Sequence, residues 1–264
     1  MPHAMVNGQR MHFTDTAYNA PALIFSHGLL MDGEMFEPQV THFGERFRCV
    51  TWDARGHGRS EAASQPFTFW DLADDLHALC GRLDIERGTF VGMSQGGFVQ
   101  LRLALRHPEL VAALVYIDSQ AGTEDAAMVP NYQALLDAAL QQGVSDELAE
   151  AVYAVLFGVD FPGKRVWIEK WKSRSPHLLV EPFRALIGRE DLHDRLGEVL
   201  APALVIHGER DAAIALDRAE RLCRLLPNCD DVVVIAGAGH AANLTHPDRV
   251  NAAMDAFLER HPPT

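Results

Sequence analysis

No apolar run in this chain is long enough to span a bilayer, and Met1 to Arg10 lack the charged-then-apolar layout of a secretory leader. Both absences lead to the expectation of a cytoplasmic protein with no membrane partner. Positive charge is scarce too. Lys and Arg number 23 against 36 Asp and Glu, a formal net charge of -13, and such a chain repels nucleic acid and anionic membrane at long range. Cysteine is sparse: Cys49, Cys80, Cys223 and Cys229 show no Cys-x-x-Cys spacing. Cys49 falls in a strand-like run, Cys80 and Cys223 in helical ones, so buried free thiols are expected and metal ligation is not. Internal repeats, low-complexity segments and long apolar surface stripes are missing as well, so nothing in the sequence specifies an oligomeric state.

What remains is an ordinary globular composition. With 264 residues, 48% hydrophobic and 22% charged, the chain can bury one sizeable core and carry an insertion. Asn7-Gly8 between Met5-Val6 and Met11-His12-Phe13 predicts an opening antiparallel hairpin. Short, nearly unbroken apolar runs follow at Ala22 to Phe25, Cys49 to Trp52, Phe90 to Met93, Ala113 to Ile117, Ala203 to Ile206 and Val232 to Ile235. Runs of this kind are strands buried on both faces. Helical spacing appears between them, as in Leu72, Leu76, Leu79, Cys80 and Leu83, and in Val250, Met254, Phe257 and Leu258. The alternation predicts an α/β fold, a mostly parallel, doubly wound sheet with helices on both faces. From about Ala121 to Arg195 no such run occurs. Residues 121–195 are therefore expected to be a helical cap inserted in a core formed by 1–120 and 196–264, standing over the site.

The most informative motif is Gly92-Met93-Ser94-Gln95-Gly96-Gly97, placed where a strand-like run gives way to a helical one. Gly-x-Ser-x-Gly in that setting is a nucleophile elbow, in which a strained turn exposes the serine hydroxyl at the tip of a strand. Gly92 and Gly96 leave room for the bend. In a parallel sheet the ligand sits beyond the carboxyl ends of the strands. The residues there include Ser26-His27-Gly28, Asp53, Ser94, Asp118, His207 to Asp211, and Gly237-Ala238-Gly239-His240.

A serine hydroxyl needs a base to take its proton, and His240, in its glycine-bracketed loop, is the candidate. Asp211 is the candidate partner for the other ring nitrogen. Asp118 is its rival, disfavoured for position and expected instead to cap the entry to the inserted segment. The backbone N-H groups of Gln95 and Leu29 are candidates to hold an oxyanion. His27 is expected to fix the Leu29 loop, and Asp53 and Arg55 to pair locally.

Ser26-His27-Gly28, Asp53-Ala54-Arg55-Gly56-His57-Gly58-Arg59-Ser60, the Ser94 elbow, Gly208-Glu209-Arg210-Asp211 and Gly237-Ala238-Gly239-His240 together resemble the α/β-hydrolase superfamily. The resemblance spans about Val6 to Phe257 and weakens in the insertion. Through the Ser-Gln-Gly-Gly elbow and Ala185-Leu186-Ile187-Gly188-Arg189-Glu190-Asp191, the chain is similar to 3-oxoadipate enol-lactonase-like esterases. That resemblance implies a Ser-His-Asp triad and no cofactor or metal. A serine at the elbow separates the chain from haloalkane dehalogenases and epoxide hydrolases, which resemble this fold but carry Asp there.

Within the insertion, Lys164, Arg165, Lys170, Lys172 and Arg174 cluster against a single acid, Glu169. On a helix, Trp167, Ile168 and Trp171 share a face with Lys164. Lys164, Trp167, Trp171 and Arg174 are thus candidate contacts for a carboxylate-bearing substrate. The competing expectation is that the tryptophans pack the insertion on the core while the charges stay solvated.

The functional expectation is a cofactor-free serine hydrolase that cleaves small carboxylic esters or lactones through an acyl-enzyme. Two alternatives share the same residues: C-C bond hydrolysis or perhydrolysis, and a small-molecule receptor gated by the cap.

Overall fold

The computed structural model describes residues 2–158 and 160–262. The core strands are β1 (His3–Val6), β2 (Gln9–Asp15), β3 (Ala22–Ser26), β4 (Arg48–Trp52), β5 (Gly88–Met93), β6 (Val111–Ile117), β7 (Ala203–Gly208) and β8 (Cys229–Ile235). They form one eight-stranded sheet in the order β1-β2-β4-β3-β5-β6-β7-β8. Pairing is antiparallel from β1 to β2 and from β2 to β4, and parallel throughout the rest. The opening hairpin turns at Asn7 (φ 47°) and Gly8 (φ 78°), the two left-handed positions that a tight hairpin requires.

Before the insertion come the helices α1 (Glu37–Phe43), α2 (Phe69–Arg82) and α3 (Gln95–Arg106). Between β6 and β7 lie α4 (Val129–Gln142), α5 (Asp146–Phe157), α6 (Lys164–Ser173) and α7 (Val180–Ile187), with no strand among the described residues. The chain closes with α8 (Leu216–Leu225), α9 (Ala242–Thr245) and α10 (Pro247–Arg260).

Successive strand residues point to opposite faces, and this divides the core in two. Ile24, Val50, Phe90, Leu114 and Val205 pack with Leu72, Leu76, Leu101 and Leu222 on one face. Leu23, Phe25, Cys49, Val91, Val115 and Ile206 pack with Phe43, Val250, Met254 and Phe257 on the other. α2 starts with a reciprocal cap: Thr68 Oγ1 accepts from Asp71 N, and Asp71 Oδ2 accepts from Thr68 N. β8 departs from expectation. As the edge strand it buries only Ile235 fully, and Val234 is 42% exposed.

Cys49 and Cys80 are free and buried, and burial pushes each thiol up to about 12, which leaves them inert. The free-thiol expectation fails for the other two: Cys223 and Cys229 form a disulfide, with Cα atoms 5.3 Å apart. The turn from the end of α8 into β8 brings them together, and spacing rules for metal sites do not anticipate such a turn. The bridge closes a loop of sequence separation six, so reducing it removes about 2 kcal/mol of stability at most. Urea unfolding with and without reductant should show a shift no larger than that.

Candidate active site

The site is assembled where β3, β5, β7 and β8 end. β5 stops at Met93, and Ser94 turns the chain into α3 with φ 50° and ψ -114°. A non-glycine residue in that region is strained, so its surroundings must enforce it. Ser94 N donates to Ile117 O at 2.9 Å, and the Ser119 hydroxyl donates to Ser94 O at 2.9 Å. Close packing accounts for the flanking glycines. A Cβ on Gly92 would lie 2.5 Å from the Gly96 carbonyl carbon, and one on Gly96 would run into the Ser26 carbonyl.

His240 Nε2 lies 2.9 Å from Ser94 Oγ, and His240 Nδ1 lies 2.8 Å from Asp211 Oδ2. Asp211 is held in turn: its Oδ1 accepts from Ala213 N (2.8 Å) and Ile214 N (3.0 Å). The His240 and Asp211 side chains are 4% and 1% exposed, so their charges act through little solvent. Burial alone would lower the His240 pKa, but the Asp211 charge and hydrogen bond, with help from Asp118 and Glu124, raise it above its ordinary value. Burial would raise Asp211; the His240 charge and hydrogen bond outweigh it and hold the carboxyl low.

Asp118 does not cap the entry to the insertion. It is fully buried at φ 50°. One carboxyl oxygen accepts from Gly208 N at 2.7 Å, the other from Ala242 N at 3.1 Å. Asp118 therefore ties the end of β6 to the end of β7 and to the chain just after His240. Burial and the charge of Asp211 push its own pKa well up.

Gln95 opens α3, so its N-H has no acceptor within the helix, and its side-chain amide reaches His57 Nε2 at 3.4 Å. The Leu29 amide is oriented by its own peptide. The Gly28 carbonyl accepts from His27 Nδ1 at 2.8 Å and from Met31 N at 3.2 Å, while His27 Nε2 accepts from Ala54 N at 3.0 Å. Because a trans peptide directs C=O and N-H oppositely, the Leu29 N-H faces away from those partners. Among the described residues no acceptor takes it.

A cavity of about 240 Å³ opens on Ser94 and His240. Its floor includes Leu29, Met93, Phe98 and Ile214, and its walls come from the insertion: Glu124, Met128, Asn131, Tyr132, Leu135, Val152, Leu156, Phe183 and Leu186. None of Lys164, Trp167, Trp171 and Arg174 lines it, so the expected carboxylate contact is corrected. Trp167 and Trp171 are buried in the core, and Trp171 Nε1 donates to Leu30 O at 2.8 Å. Lys164 pairs with Glu150 at 3.0 Å beside the Tyr153 ring, and Arg174 donates to Gly56 O at 3.0 Å. The tryptophan face turns inward, as packing demands, and takes the cations to other partners.

Asp53 and Arg55 do not pair locally either. Arg55 grips Asp75 of α2 at 2.6 and 2.8 Å. Asp53 accepts from Gly33 N and Arg59 N, both at 2.8 Å, and lies 3.0 Å from His12 Nδ1. Burial would raise its pKa, but His12, His27 and the two amides hold it far below the usual range.

This architecture is that of the family described as the alpha/beta hydrolase fold, whose family profile matches residues 21–247, and the chain belongs to it. Several of its curated relatives are named as hydrolases. A protein of Yersinia enterocolitica named "Putative carbamate hydrolase RutD" is 30% identical, with 94% of this chain and 92% of that one covered. The 3-oxoadipate enol-lactonase 2 of Acinetobacter baylyi is 26% identical, covering 91% and 89%. Among solved structures, the enol-lactonase of Burkholderia xenovorans LB400 superposes with a TM-score of 0.89 at 27% identity, covering 98% and 100%.

Two outcomes test the scaffold of the site. Asp118→Asn leaves one of two buried amides facing an NH2 group, which should cost about 1 to 3 kcal/mol in urea unfolding. Gly96→Ala should cost activity as well as stability, because relieving the Ser26 contact has to move Ser94; a full-rate enzyme would contradict that account of the elbow.

Proposed function

We propose that the protein is a serine hydrolase that cleaves small carboxylic esters or lactones through an acyl-enzyme, with Ser94 as nucleophile, His240 as base and Asp211 as its partner. The observation that carries this reading is the unbroken line from Asp211 Oδ2 to His240 Nδ1 and from His240 Nε2 to Ser94 Oγ, with both links under 3 Å.

In the proposed reaction Ser94 Oγ attacks the carbonyl carbon while its proton passes to His240 Nε2. The negative charge gathers on the carbonyl oxygen, where the Gln95 and Leu29 N-H groups receive it. His240 then gives its proton to the leaving alkoxide, and the acyl group stays on Ser94. Water attacks the acyl-enzyme, His240 takes its proton, and the acid departs with Ser94 restored. Asp211 fixes the tautomer with the Nδ1 proton and stabilises the imidazolium. No step calls on a metal or cofactor. The inserted segment acts as the cap, since it supplies more than half of the residues that line the cavity. In this reading the protein is cytoplasmic, where the Cys223–Cys229 pair would meet a reducing environment.

Turnover of a short chromogenic ester by the wild type but not by Ser94→Ala tests the assignment; equal rates would remove Ser94 from the chemistry. The pH dependence has a definite sign. Only neutral His240 accepts a proton, so activity is present above its pKa and lost as pH falls through it. The raised pKa puts that loss at higher pH than for an ordinary imidazole. Asp211→Asn should shift the limb to lower pH and reduce kcat by about 10³- to 10⁴-fold.

A further inference from the structure

The charge pattern inside the cavity goes beyond the class of reaction. Its walls are aliphatic and aromatic, and no Lys or Arg lines it among the described residues. Among the described residues Glu124 is the one acidic side chain on its wall. Its side chain is 7% exposed and is paired at 2.8 Å with Arg189, which is 1% exposed. Arg189 is locked behind it, donating to Gly122 O at 3.0 Å and Leu186 O at 2.8 Å. The guanidinium carbon sits 4.3 Å from the centre of the Phe98 ring, and Phe98 itself lines the cavity. The cavity thus meets the carboxylate and the aromatic ring, while Arg189, in contact with both, does not line it.

We propose that the site takes small neutral esters or lactones with an apolar acyl portion and rejects those whose acyl chain ends in a carboxylate, with Glu124 as a specificity-determining residue. A second carboxylate would be buried against apolar walls with no counter-charge. It would also face the like charge of Glu124 at short range in a poorly solvated space. The small cavity volume adds a limit on size, since it lies below the ~300 to 1,000 Å³ of drug-sized sites. The effect of Glu124 on the His240 pKa agrees with its position within electrostatic reach of the reaction. This inference rests on the hydrolase reading for its substrates, but the preference of the cavity can be measured without catalysis.

Two esters of matched length decide the substrate class: p-nitrophenyl hexanoate and the mono-p-nitrophenyl ester of adipate. We expect kcat/KM for the neutral ester to exceed that for the anionic one by about 100-fold or more. Equal values, or a preference for the adipate ester, overturn the inference and leave the hydrolase reading standing. Calorimetry on Ser94→Ala protein compares 2-octanone with 7-oxooctanoate, which cannot be hydrolysed. Tighter binding of the ketone without a carboxylate supports the cavity argument even if neither ester is turned over, in which case the hydrolase reading is what fails. Equal or tighter binding of the keto acid overturns the inference.

Glu124→Gln releases Arg189 from its partner and should narrow the ester ratio by about 10-fold. If the unpaired guanidinium prevents folding, Glu124→Gln combined with Arg189→Met removes both charges of the pair and should narrow it by about threefold. An unchanged ratio in either folded variant removes Glu124 from the discrimination.

Discussion

Everything near Ser94 depends on one backbone conformation that a serine does not choose for itself. At φ 50° the residue is strained by about 1 to 3 kcal/mol, and the rest of the sheet edge is arranged to hold it there. The neighbouring strand β6 supplies the Ile117 carbonyl that receives its N-H, and Ser119, just past the same strand, fixes its carbonyl. The missing side chains at Gly92 and Gly96 let β3 and α3 close around it. The return on this strain is position: the hydroxyl stands clear of the backbone, one hydrogen bond from His240.

A second constraint works through Asp118, which has no contact with Ser94 in any hydrogen bond of the site. Its two oxygens gather amides from the end of β7 and from the loop that carries His240. Asp211 and His240 come from different loops, and this carboxyl sets the spacing between them. Such a role needs an acceptor with two arms, which a serine or a threonine could not supply.

Much of this is legible in the sequence because the physics behind it is local. Strands buried on both faces must be apolar throughout, so β3 to β7 can be read directly. A serine flanked by glycines between a strand and a helix points to a sharp, crowded turn, because few other local structures require that pattern. The edge strand β8 reads as buried because Val232 to Ile235 is apolar in composition whichever side faces solvent. Asp118 and Asp211 look alike in the sequence, since both follow strands; their difference lies in which atoms approach them, a property of tertiary packing. The pairing of Arg55 with Asp75, of Glu124 with Arg189 and of Cys223 with Cys229 likewise depends on how separate segments meet. The basic stretch from Lys164 to Arg174 is the least legible. A helix face bearing two tryptophans and a lysine fits a binding wall and a packed core equally well, and burial of the indoles in the core decides where the cations can go.

The long insertion also has a consequence for how the chain is made. β6 ends at Ile117, and its outer neighbour β7 does not begin until Ala203. At a synthesis rate of about 5 to 20 residues per second, some 4 to 17 seconds separate the two strands on the ribosome. Throughout that interval an apolar central strand presents an unpaired edge, the kind of surface on which nascent chains aggregate. Helices α4 to α7 are made in the same window and fold from local contacts, which is fast. The segment that walls the finished cavity is thus the first structure available to stand beside that edge while it waits for its partner.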